Sequence, residues 1–225
     1  MRGLRAIFFL GCWAVCGFSV LGAVGVAEAK PKSFVLQSTT RRVPVLELFT
    51  SEGCSSCPPA ERFFSGLMKM PGLWNEFIPV GWHVDYFDSK QWSDPWSQSD
   101  FSQRQRVYYM QSRVTWVYTP GFVLDGWEWT GFQQGKGLPS ARQVERAGVL
   151  TVGTADWKRW AVRYQPVGKM DDTTLEVSLV YLGCGLKSQV KGGENSGRNL
   201  EHDFVVLKWV RIPVKREGLV YVGGG

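Results

Sequence analysis

The chain has 225 residues, with 26 Lys and Arg against 20 Asp and Glu, a formal charge of +6, and five cysteines. Its basic residues are scattered and no recognition motif accompanies them, which excludes a nucleic-acid reader and leaves the charge as a matter of solubility. Residues 30–225 can bury a core without covalent staples, and that stretch holds an odd set of cysteines, Cys54, Cys57 and Cys184, which argues for cysteine chemistry over a disulfide scaffold.

Arg2 and Arg5 precede an apolar stretch over residues 6–26 that closes on Ala27-Glu28-Ala29. This pattern predicts a signal peptide over 1–29 with cleavage after Ala29. Gly11, Gly17, Ser19, Gly22 and Gly25 dilute the run below the roughly 20 apolar residues of a membrane anchor. Leu10-Gly11 before Cys12 leaves a lipid-modified cysteine as the competing reading; otherwise Cys12 and Cys16 depart with the signal. The expected location is periplasmic or secreted, with the membrane met only through the signal peptide.

Residues 30–42 are polar and basic and read as a leader. Residues 43–49, β-branched or large and apolar, predict a strand buried on both faces. A helix should follow, since Pro58 and Pro59 suit a first turn and Phe63, Phe64, Leu67 and Met68 recur at helical spacing. A second strand is expected over 78–87, then a polar aromatic connection and a helix over 101–113. Residues 121–124 and 127–130 form a hairpin about Asp125-Gly126, and a short helix is expected over 140–147. Beyond 149 the pattern is β-rich: Leu175, Val177 and Leu179 alternate with polar neighbours, residues 204–214 form another strand, and turn formers lie between them.

Chemistry concentrates at Cys54-Ser55-Ser56-Cys57. A helix start favours a thiolate through its free amide hydrogens and positive end, so Cys54 should be the nucleophile and Cys57 the resolving thiol. His83 and Asp85 alternate onto one face of the second strand and are candidate acid and base. A zinc ribbon would need a second ligand pair, which is missing; Cys54, Cys57 and His83 as copper or zinc ligands of a metallochaperone form the metal alternative. A polar satisfied pair is the plain reading of His83 and Asp85. Trp92 and Trp96 could form a docking surface, while Arg104, Gln105 and Tyr108 read as a solvated helix face. Cys184 reads as a small buried apolar residue or a pairing thiol.

The blocks "LELFTSEGCSSCPPAE", "WHVDYFD", "WSDPWSQSDFSQRQRVYY", "VYTPGFVLDG" and "GGENSGRNLEH" together resemble a family of secreted bacterial proteins of unknown function with a thioredoxin-like domain. The resemblance implies an α/β fold, a thioredoxin-like domain over 43–148 followed by a smaller all-β domain over 149–225. It implies a cis bond at Thr119-Pro120 beside the sulfurs, and it makes Glu194, Asn195, Arg198 and His202 binding candidates. Leu48 stands where thioredoxin has its buried acid, with Glu47 pointing to the other side of the strand. The expected function is an exported thiol-disulfide oxidoreductase without a cofactor, acting on protein or small-molecule thiols and disulfides. The alternative is a noncatalytic binding module that carries Cu(I).

Overall fold

The computed structural model describes residues 5–10, 33–138, 146–156, 158–168, 175–218 and 220–224. In chain order these form β1 (Arg5–Leu10), β2 (Phe34–Gln37), β3 (Val45–Thr50), α1 (Cys57–Gly66), β4 (Ile78–His83), α2 (Ser99–Met110), β5 (Gly121–Leu124) and β6 (Trp127–Glu128). They continue with β7 (Gly148–Thr154), β8 (Trp160–Pro166), β9 (Glu176–Gly183), β10 (Leu186–Gln189), β11 (Asn199–His202), β12 (Val205–Ile212), β13 (Val214–Glu217) and β14 (Val220–Gly224). The Ala29 cleavage position and most of the expected 140–147 helix lie outside the described residues. Among those described, no helix is long and apolar enough to cross a membrane.

The expectation of an α/β, thioredoxin-like domain followed by a smaller all-β domain is overturned. Strand accounts for 41% of the structure and helix for 14%, in three sheets. The largest is a seven-stranded mixed sheet in the order β1-β9-β12-β4-β3-β5-β6, so strands from beyond residue 149 lie in the same sheet as β3 and β4. β12 meets β4 in parallel at Val205 and Gly81 and then runs antiparallel to β9, with a register shift between Val206 and Lys208. The physical reason is that alternation announces a strand without naming the edge that receives it. Among the described residues there are two further sheets, β13-β14-β8-β7-β2 and the pair β10-β11. Phe34 of β2, inside the expected leader, packs edge-on against Trp160, and β2 pairs with β7.

Strand β3 is buried on both faces, as its apolar run requires. Leu46 and Leu48 pack under α1 with Phe64, Phe122 and Phe204. Phe49 turns the other way, towards Trp82, Phe101, Val180 and Val206. Glu47 shares that second face and is also buried. It accepts hydrogen bonds from Trp82 Nε1 at 2.8 Å, Arg104 Nε at 2.5 Å and Tyr108 Oη. Arg104, Gln105 and Tyr108 are therefore buried, and α2 turns toward the sheet the face that reads in sequence as solvated. The β5–β6 hairpin turns at Asp125 (φ 55°) and Gly126 (φ 83°), the pair expected for its left-handed turn.

Candidate functional site

Strand β3 ends at Thr50, and the chain turns through residues 51–56 before α1 begins at Cys57. The turn is held by Cys54 N–H to Ser51 O at 3.1 Å and Cys57 N–H to Cys54 O at 3.2 Å. A Cβ at Gly53 would come within 2.9 Å of Phe87 Cβ and 3.1 Å of Phe87 O, so only glycine lets this turn lie so close to residue 87. The two sulfurs end 2.6 Å apart as free thiols. Cys54 is 3% exposed and Cys57 not at all, so both lie below the surface.

The surroundings separate the two thiols chemically. The hydrogen bond from Cys57 is the main influence that lowers the pKa of Cys54 to about 6, against burial, with help from Ser56 Oγ at 3.3 Å. Burial pushes Cys57 strongly upward, and the neighbouring Cys54 adds to this. The Thr119-Pro120 bond is cis, and Thr119 O lies 3.8 Å from Cys54 Sγ. The Thr119 side chain, buried beside the sulfurs, favours the ionised form of both thiols.

A cover comes from far along the chain. The loop between β10 and β11 sits on the cysteine turn: Asn195, fully buried, donates from Nδ2 to Glu52 O and to Cys54 O, both at 2.8 Å. Glu194 Oε2 accepts the Ser55 N–H at 2.8 Å. A Cβ at Gly192 would lie 2.3 Å from Gln91 O, so this loop also presses on the segment that follows β4.

Beneath the turn lies a buried carboxylate–imidazole cluster. His202 Nε2 meets Glu52 Oε1 at 2.9 Å, and its Nδ1 lies 3.0 Å from Glu61 Oε2. Burial alone would depress the pKa of His202, but Glu52 and Glu61 outweigh it and raise the value to about 10. Glu61 also accepts from Thr50 Oγ1 at 2.6 Å; burial opposes its ionisation, and His202, His83 and Thr50 together hold its pKa low. His83 Nδ1 pairs with Asp94 Oδ2 at 2.7 Å, and the same oxygen accepts the Glu52 N–H at 2.8 Å. Asp94 is likewise kept ionised against burial, chiefly by His83. The two imidazole rings meet edge to face with centroids 5.0 Å apart. Glu61, His83 and His202 each offer a donor atom, and these atoms lie within 4.8 Å of one another.

Of the residues singled out in sequence, Cys54, Cys57, Thr119, Pro120, Glu194 and Asn195 thus come together at the turn, and His83 and His202 at the cluster. Asp85 does not join His83; its carboxylate accepts the Ser102 hydroxyl and its N–H donates to Ser102 Oγ at 3.0 Å. Arg198 is exposed, Trp92 and Trp96 are half-buried, and Trp92 Nε1 donates to Glu52 Oε2 at 3.1 Å. Cys184 is half-buried against the α1 side of the core and receives the Phe204 N–H at 3.4 Å. Glu52, Glu61 and Asp94 were missed. The first two flank the cysteines in "SEGCSSCPPAE", and their only signal was this nearness to the motif.

The profile described as "Protein of unknown function (DUF1223)" matches residues 45–220. Among solved structures, Protein AGR_C_4864 from Agrobacterium tumefaciens is similar in fold, with a TM-score of 0.55 and 20% identity over 80% of this chain and 77% of its own. HBP35 of Porphyromonas gingivalis gives a TM-score of 0.48 at 14% identity, over 82% of this chain and 63% of its own. No curated protein matches.

Proposed function

The chain belongs to the DUF1223 family of unknown function, and on that footing we propose that it is an exported thiol-disulfide oxidoreductase acting through Cys54 and Cys57. The observation that carries this reading is the chemical asymmetry of two free thiols 2.6 Å apart, with Cys54 acidified to about 6 and Cys57 held protonated. Such an asymmetry divides the labour that exchange requires. The Cys54 thiolate attacks one sulfur of a substrate disulfide, the S–S bond breaks, and the second substrate sulfur leaves as a thiolate that takes up a proton. Cys57 then loses its proton and attacks Cys54, which frees the first substrate sulfur. The substrate gains two electrons and two protons, and Cys54 and Cys57 become the disulfide; the reverse sequence oxidises a dithiol. Thr50 Oγ1, which gives its hydrogen to Glu61, is a polar group beside the resolving thiol.

Partners are protein or small-molecule thiols and disulfides. They must displace the 192–198 loop or slip beneath it, because neither sulfur is exposed. Export is the expectation drawn from residues 1–29, and protein recovered from an exporting bacterium should begin at Lys30 by N-terminal sequencing. The exchange reading is tested with Cys57→Ser in cells. Mixed disulfides through Cys54, released by reductant and absent from the Cys54→Ser variant, support it; no trapped partner, together with no oxidation of the wild-type pair by a glutathione redox buffer, would overturn it.

A further inference from the structure

We propose that Glu61, His83 and His202 form a binding site for a divalent transition metal of the zinc class, separate from the two sulfurs. The three residues come from α1, β4 and β11, and each is buried. What marks them as ligands is the way their other atoms are used. Asp94 holds Nδ1 of His83 at 2.7 Å, Glu52 holds Nε2 of His202 at 2.9 Å, and the Thr50 hydroxyl holds Oε1 of Glu61 at 2.6 Å. Carboxylates behind both imidazoles and a hydroxyl behind the carboxylate are the outer contacts that orient metal ligands and fix the imidazole tautomers. Each of the three residues also offers a donor atom to the others, and these atoms lie within 4.8 Å of one another.

The contact between His202 and Glu61 has the same character. Nδ1 and Oε2 are 3.0 Å apart, yet Nδ1 makes no aligned hydrogen bond among the described residues. Two donors side by side, about 3 Å apart and not aimed at each other, are spaced like the edge of a coordination polyhedron with bonds of about 2.0–2.1 Å. Two nitrogens and one oxygen suit zinc, cobalt or iron better than Cu(I), which prefers sulfur, and three protein ligands leave a tetrahedral position open.

The test is Co2+ titration of the purified chain under reducing conditions, followed by visible absorption, with Zn2+ in competition. One equivalent should bind, giving d–d bands without a sulfur-to-cobalt charge-transfer band, and zinc should displace it. The Cys54→Ser/Cys57→Ser double variant, in which exchange is abolished, should bind as tightly as the wild type, so this result is independent of the redox reading. Glu61→Gln should lose stoichiometric binding. Asp94→Asn, which leaves all three ligands in place, should weaken binding by about 10- to 100-fold. No uptake by the wild type, a thiolate charge-transfer band, or binding lost with the cysteines would each overturn the proposal, and the wild-type spectrum decides even if a cluster variant fails to fold.

Discussion

Replacing Asn195 with alanine should make Cys54 react about 30-fold faster with iodoacetamide. The Asn195 amide gives one hydrogen to Glu52 O and one to Cys54 O, each at 2.8 Å, from a wholly buried position. Truncation strips two buried carbonyls of that donor. At about 1 kcal/mol net for each hydrogen bond, the closed arrangement of the 192–198 loop over the turn is weakened by about 2 kcal/mol. Cys54 is 3% exposed, so a reagent reaches its sulfur through transient opening of this cover, and the rate follows the opening equilibrium. A factor of ten for every 1.4 kcal/mol converts about 2 kcal/mol into roughly 30-fold. The assay is pseudo-first-order alkylation at fixed pH with the Cys54 peptide quantified by mass spectrometry, beside a urea titration to subtract reaction from the unfolded chain. An unchanged rate in a folded variant would refute the argument, since the reagent would then reach the sulfur without moving the loop.

Two further outcomes follow from the same geometry. Alkylation of Cys54 in the wild type should rise with pH through a midpoint at about 6, the thiolate being the reactive form above it; because the Cys57 hydrogen bond is the main cause of that low value, Cys57→Ala should shift the midpoint upward. An identical profile in the two proteins would show that Cys57 does not acidify its neighbour. Arg104→Met should leave Glu47 charged and uncompensated in the core and lower the unfolding free energy in urea by about 3–5 kcal/mol; a loss below about 1 kcal/mol would mean that Glu47 takes up a proton or reaches water.

Local structure was legible in the sequence. The cysteine pair between a strand and a helix, the doubly buried β3 and the Asp125-Gly126 hairpin all follow from short-range rules of periodicity, turn conformation and helix starts, and each is found where those rules put it. What could not be read is long-range pairing. Glu52, Glu61 and Asp94 look like ordinary surface acids because a carboxylate is normally hydrated, and they are buried only because His83 and His202 come to meet them. His202 stands 150 positions from Glu52, and nothing in the neighbourhood of either residue points to the other. The fold class was missed for the same reason: β12 belongs beside β4, a neighbour that no local pattern names. Arg104 and Tyr108 were read as solvent-facing because their partner, Glu47, lies on β3.

The span between the cysteines and their cover also dictates an order of events during synthesis. Asn195 and Glu194 lie 141 and 139 positions after the residues they hold at the turn, and His202 lies later still. A chain delivered from its N-terminus, at about 5–20 residues per second, presents both sulfurs well before the segment that will shelter them exists. Throughout that interval Cys54 and Cys57 are open to oxidants and foreign thiols from which the finished protein shields them, and closing so long a loop is a late, entropically costly step. The pair is therefore most open to wrong pairing while the protein is being made, and it is covered only when the last third of the chain has arrived.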